Sequence, residues 1–277
     1  MNKSESHGHI PTPLGSVEPH APLLSVPSDG QLLYKIMSME NLLRSIVGNY
    51  LHFNRVDSYA DFPNADPHDG RQLPKDQHGN SRTRFEKSPD FSAAKYYNQS
   101  RARTYACCFS LENSDFIWKN YANGSEKGKV GVVFEFGRLR TMLNQTLQPG
   151  NAALEYSDNR CHQIFSINYG IIEYVEWDTY QANIKHLPNP IIYTYLKDKE
   201  RFSEEKELRI SLSAIGIGQF ALKDGSMMQF PSSLQLAFNF KAAISNGTIQ
   251  QILYAPDSDS DFLHAELHKL RIVPSNG

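Results

Sequence analysis

The chain has 277 residues, with 28 Lys and Arg against 30 Asp and Glu and a formal net charge of -2. That balance disfavours a strongly basic nucleic-acid binder, while leaving room for a local basic patch. Hydrophobic residues at 40% and charged residues at 21% fit a globular chain with a buried core and weigh against full disorder.

The length allows one large domain or two small ones. No run of eighteen apolar residues occurs, so no membrane-spanning helix is expected. The first residues, MNKSESHGHIPTP, lack the apolar stretch of a secretory signal. The 3 Cys are an odd number and two of them, Cys107 and Cys108, are adjacent. Reduced thiols in a cytoplasmic protein are expected rather than a disulfide framework.

Residues 1–30 are rich in proline, histidine and serine without apolar periodicity, and read as a flexible arm. LLYKI follows as a strand, with Ser38 as a helix N-cap, Glu40 in the first turn and Leu42, Leu43, Ile46 and Val47 at helical spacing. Gly48 is placed at the left-handed C-terminal position, and YLHF reads as a second strand. Residues 57–103 are polar and punctuated by Pro and Gly, so they read as a long loop or lid, with FSAAKYYNQ a short helix inside it. TYACCFSL and KVGVVFEF read as strands, with the short helix DFIWKNYA between them. GRLRTMLNQTL reads as a helix, INYGIIEYVEW as a strand, NPIIYTYLKDKERFS as a helix and ELRISLS as a strand. AFNF and IQQILYAP are further strands, and a last helix follows Ser258 or Ser260. Strands and helices mix without regular alternation, which points to an α+β fold with a mixed or antiparallel sheet, as one domain over residues 31–277.

Four features could carry chemistry. In FSEEKELRISLS, a strand starting at Glu205 puts Glu205, Glu207, Arg209 and Ser211 on one face and Leu208, Ile210 and Leu212 on the other. Two nearby carboxylates can divide labour, one ionised and one with a raised pKa, which suits an oxocarbenium-like centre at a sugar carbon. The alternative is a solvated strand edge. In CCFSLENSDFIWKNYA, Ser110 ends a strand and Phe116, Trp118 and Tyr121 follow on a helix. Such aromatics could stack on a flat ring, or simply form core. Tyr34 and Lys35 lie on the first strand, where a cation could hold a phosphate or remain a solvated charge. NADPHDG offers Asn64, Asp66, His68 and Asp69 without recognised metal-ligand spacing, and reads as a polar loop, so no metal is expected. Cys107 and Cys108 read as inert core residues.

The order LLYKIMSMENLLRSIVGNYLHF, NADP, CFS, IWKNYANG with GVVFEF, and EEKELRI resembles the bacterial domain-of-unknown-function family 2971. The stretches run from about Leu33 to Arg209, and the most specific are Trp118 to Ala122 and the E-K-E-x-R element. The chain departs from the family by an inserted Ala65, by His68 and Asp69 in place of an aromatic and an acid, and by Leu208 in place of a tryptophan. More distantly the order is similar to the ADP-ribosyltransferase fold, in which a first strand carries His or Arg, a strand-serine-aromatic element forms a nicotinamide pocket and a late strand carries a catalytic Glu.

That resemblance implies a single α+β domain and an enzyme that consumes NAD as co-substrate, of the kind used by toxins and phage-defence effectors. It implies Glu207 as stabiliser of the oxocarbenium and Glu205 as the group that orients or deprotonates the acceptor. Tyr34, Lys35, Ser110, Phe116, Trp118 and Tyr121 would hold NAD, with Lys35 in the place of the usual His or Arg. Arg82, Arg84, Arg103 and Arg209 would contact a macromolecular acceptor, protein or nucleic acid. The competing expectations are a non-enzymatic, antitoxin-like binding module and a metal-dependent nuclease built on the Asp/His loop.

Overall fold

The computed structural model describes residues 11–12, 15–16, 24–61, 65–146, 154–156, 159–161, 164–182, 191–214, 219–221 and 226–272. Most of the expected arm at residues 1–30 lies outside these. Within it, Pro11–Thr12 pairs antiparallel with Gly15–Ser16, and Ser25 bridges to Ile171.

Ten strands make the main sheet: β1 (Leu32–Ser38), β2 (Tyr50–Arg55), β3 (Thr104–Ser110), β4 (Lys129–Glu135), β5 (Leu154–Tyr156), β6 (Asn159–Cys161), β7 (Ile164–Ile171), β8 (Glu207–Ala214), β9 (Ser233–Ala237) and β10 (Ile249–Tyr254). Every pairing among them is antiparallel, and the fold is α+β as expected. The order along the sheet is β6-β5-β9-β2-β3-β1-β4-β10, with β8 on the other edge of β3 and β7 beyond β8. One edge of β3 is therefore shared. Ala106 and Tyr105 pair with β2, whereas Ser110 pairs with Tyr34 of β1. The sheet forks between these points, and the Lys35 ammonium donates to the Cys108 carbonyl at 3.1 Å inside the fork.

The core follows from alternation along the strands. Leu33, Phe109, Val132, Phe134, Leu208, Ile210 and Leu212 are buried on one face, against helices α1 (Met39–Gly48), α5 (Phe136–Thr146), α7 (Phe240–Ser245) and α8 (Ser260–Lys269). Helix α1 begins as read from sequence, with Ser38 Oγ accepting from the Asn41 amide. Its left-handed C-terminal residue is Asn49 at φ 52 rather than Gly48, because a short amide side chain tolerates that conformation. The cap of α8 is Asp259, between the two serines expected there. No helix among the described residues is long and apolar enough to cross a membrane.

Two expectations are corrected. Residues 57–103 hold regular structure throughout much of their length: a 3-10 turn at Val56–Asp61, α2 (Pro74–Arg82), a hairpin of Arg84–Phe85 with Ser88–Ser92, and α3 (Ala93–Arg101). Scattered apolar residues suffice to order them, since Leu73, Ala93 and Tyr97 pack with Val175, Tyr193 and Leu196 in a second small core. The segment 189–203 is not a single helix. Its described part is a 3-10 turn at Ile192–Tyr195, a short strand Leu196–Asp198 parallel to Glu173–Val175, and α6 (Lys199–Phe202). Asp198 accepts from the Glu200 amide and starts α6 afresh, so the chain is extended at Lys197.

Candidate functional site: a buried carboxylate pair on a shared lysine

On β8 the side chains opposite the apolar core face are Glu207, Arg209, Ser211 and Ser213. This polar face is not a solvated edge: Glu207 is 3% exposed and Arg209 is 0% exposed. Tyr59 and Asp69 from the polar segment after β2, and Thr194 from the segment after Ile172, cover it. Arg209 grips Asp69 with two parallel bonds, Nη1 to Oδ1 at 2.6 Å and Nη2 to Oδ2 at 2.9 Å. It also donates from Nε to Glu207 Oε1 at 2.8 Å and from Nη1 to the Thr194 carbonyl at 2.7 Å. A planar guanidinium makes this possible, because its fork matches a carboxylate edge while its remaining N–H groups point elsewhere.

Glu205 is not part of the strand. It closes a 3-10 turn, and Lys206 at φ 47 reverses the chain before β8 begins. The reversal brings both carboxylates to one ammonium, with Lys197 Nζ 2.6 Å from Glu205 Oε2 and 2.7 Å from Glu207 Oε2. The Ser110 hydroxyl fixes the turn by donating to the Glu205 carbonyl at 2.8 Å and accepting from the Glu112 amide. The Tyr121 hydroxyl donates to Glu205 Oε1 at 2.5 Å, and the Tyr174 hydroxyl accepts from the Glu207 amide at 2.8 Å.

The two carboxyls are pushed apart. For Glu207, burial alone would raise its pKa, but the Arg209 guanidinium and then the Lys197 ammonium hold it below its ordinary 4.5. For Glu205, burial raises it, the Glu207 charge adds to the rise, and Lys197 and Tyr121 only partly offset it. Burial and the neighbouring carboxylates keep the Tyr121 and Tyr174 phenols protonated.

These directions fix opposite contributions to stability. Glu207 stabilises the fold above its unfolded pKa, and that contribution is lost as pH falls through its folded value. Glu205 retains its proton longer in the folded protein, so its contribution diminishes as pH climbs from 4.5 through its raised value. Denaturant unfolding of wild type and Glu205→Gln across the acid-to-neutral range is expected to show wild type losing ground to the variant as pH rises above 4.5. A constant difference between the two would contradict the assignment.

The residues expected from sequence fall into three groups. Tyr34, Ser110 and Glu207 stand directly beside one another across β1, β3 and β8, and Glu205 and Tyr121 join them. Trp118 packs over the same face, its ring 2.9 Å from where a methyl on Gly131 would lie and next to Ile36. Its indole N–H donates to Asn113, and the half-buried Phe116 shares its helix α4 (Asp115–Asn120).

Lys35 does not join this group. It lies one residue out of step with Tyr34, on the face of Leu33, with its ammonium 5.1 Å above the Phe109 ring and in the fork of the sheet. Of the arginines expected to contact an acceptor, Arg84, Arg103 and Arg209 are engaged separately. Arg84 bonds the Ser81 carbonyl near the end of α2, which also carries Arg82. Arg103 lies over Tyr96, and Arg209 is consumed inside the cluster. Asn64 lies outside the described residues.

Sequence reading missed Lys197 and understated Asp69. No period of two marks Lys197, whose neighbours Thr194, Tyr195 and Leu196 are all buried, and the segment reads as helix. Asp69 is 2% exposed, far from a solvated loop residue. Among the described residues, no group of three or more His, Cys, Asp and Glu side chains is arranged to hold a metal ion. The chain matches no protein-family model, and no curated protein or solved structure matches it.

Proposed function

We propose that the chain is an NAD-consuming enzyme of the ADP-ribosyltransferase kind, as its segment order implies. The observation that carries this reading is the carboxylate pair on Lys197, with Glu207 held ionised and Glu205 pushed upward. An ionised carboxylate in a low-dielectric setting stabilises positive charge that develops at a sugar carbon. A carboxylate with a raised pKa is the better proton acceptor near neutral pH.

In this reading the N-glycosidic bond of NAD breaks and its electron pair leaves with neutral nicotinamide. The ribose carbon, positive in the transition state, is faced by Glu207. An acceptor hydroxyl, amine or water forms the new bond to that carbon, and its proton passes to Glu205. Tyr34 and the α4 aromatics border the nicotinamide. Ser110 serves as a positioning residue, because its hydroxyl already holds the Glu205 turn. Lys197 fixes the spacing of the two carboxylates. Arg209 acts through Glu207 and is withdrawn from acceptor binding. A toxin or defence role modifying a macromolecule fits this chemistry.

A second reading has its own support. Both Glu207 oxygens and both Asp69 oxygens are paired inside the protein, as in a closed structural network of a binding module. Incubating purified protein with NAD, with and without a cell lysate, separates the two. Release of nicotinamide, or transfer of label from the adenylate to a macromolecule, is expected for the enzyme. If neither occurs, the binding module is the better account.

A further inference from the structure

The short parallel pair of Glu173–Val175 with Leu196–Asp198 has two sides. Successive side chains on a strand point to opposite faces. One registered pair, Tyr174 with Lys197, reaches Glu207 through the Tyr174 hydroxyl and the Lys197 ammonium. The pair before it, Glu173 with Leu196, lines a cavity of about 430 Å³. The strands are therefore a wall between this cavity and the carboxylates. Leu24, Ile171, Ile172, Ala182, Ile192 and Leu196 give the cavity apolar sides. Tyr195 also lines it, but its hydroxyl is engaged by the Asn168 carbonyl at 3.0 Å and the Ser211 hydroxyl at 2.9 Å. The lining holds a single charged side chain, Glu173, which is exposed. The Tyr180 hydroxyl donates to its Oε1 at 2.8 Å, and among the described residues Glu173 makes no ion pair. The nearby cations of this segment are committed elsewhere, Lys197 to Glu205 and Glu207 and Lys199 to Glu176 at 3.4 Å.

We propose that this cavity binds a small primary amine with a hydrocarbon body, its ammonium at Glu173 and its body between the aliphatic walls. Small-molecule pockets run to roughly 300–1,000 Å³ and combine apolar walls with a few placed polar groups, as here. An ammonium carries three donors and a compact charge. Glu173 Oε2 and the exposed Ser25 hydroxyl are acceptors in the lining, and water at the rim serves the third donor. The hydrocarbon body is stabilised by the area it removes from water. An anion meets only the Glu173 charge, with no cation in the lining to hold it. A divalent metal ion needs about six oxygen ligands, and the lining offers one carboxylate. The site does not depend on the transferase reading, because the strand pair separates it from the carboxylates and no NAD is needed to form it.

The test is a calorimetric titration of the full chain, without NAD, using n-hexylammonium as the probe. Hexan-1-ol keeps the body without the charge, and methylammonium keeps the charge without the body. Saturable binding of hexylammonium, at least tenfold tighter than either control, is the expected result. Glu173→Gln, at an exposed position, should weaken hexylammonium at least tenfold and leave hexan-1-ol unchanged. Ala182→Phe should abolish binding by filling the cavity. No saturable binding in wild type, or hexan-1-ol binding as tightly as hexylammonium, would overturn the proposal whether or not Ala182→Phe folds. So would undiminished hexylammonium binding by folded Glu173→Gln or Ala182→Phe protein.

Discussion

Replacing Arg209 by leucine is expected to cost about 3–5 kcal/mol of folding stability, read from denaturant unfolding. The cause is what the substitution leaves behind. Asp69 loses both bonds of its bidentate clamp, Glu207 loses its closest guanidinium contact, and the Thr194 carbonyl loses a donor, all where water cannot replace them. Arg209→Lys keeps the charge but cannot span Asp69 and Glu207 together, so it should recover only part of the loss. A variant with leucine at 209, asparagine at 69 and glutamine at 207 should be more stable than Arg209→Leu alone, because it removes the uncompensated charges with the cation. If Arg209→Leu unfolds at the wild-type denaturant midpoint, the buried network is not what secures the Asp69 segment to β8.

The second large effect concerns activity. Glu207→Gln is expected to lower nicotinamide release from NAD by about 10²–10³-fold. Stability should suffer far less than in Arg209→Leu. The glutamine is nearly isosteric, Arg209 keeps Asp69, and Lys197 keeps Glu205. Thermal unfolding measured beside turnover therefore separates lost charge from lost fold. A folded Glu207→Gln protein with unchanged turnover would remove Glu207 from the chemistry.

The alternation of ELRISLS was readable in full, since a strand with one apolar face shows a period of two wherever it is buried. It correctly placed Leu208, Ile210 and Leu212 in the core, and Glu207 with Arg209 opposite them. Extending it backward to Glu205 failed because Lys206 adopts a left-handed conformation that no pattern at a lysine announces. The same arithmetic separates Tyr34 from Lys35: they are neighbours in sequence and so occupy opposite faces. The ammonium shared by Glu205 and Glu207 is that of Lys197, from a stretch read as helix. Asp69 was hidden by its surroundings. A polar segment with Pro and Gly gives no sign of which acid will be covered, since that depends on the helices and strands that fold around it.

The fork at β3 divides the sheet into two wings, one led by β1 and the other by β2, with β3 as their common spine. Between the points where the wings attach, a flexible lysine side chain spans the gap in place of a rigid ladder. Elsewhere the two wings are held together by one shared core, in which Leu51 and Phe53 of β2 pack with Leu33 of β1 and Phe134 of β4 beneath α1. Glu207 and Arg209 ride on β8, bound along the opposite margin of that spine from Ser110 to Thr104. An unbroken ladder therefore fixes Glu207 and Arg209 on the margin away from the fork, and the irregularity in the sheet does not reach the strand that carries them.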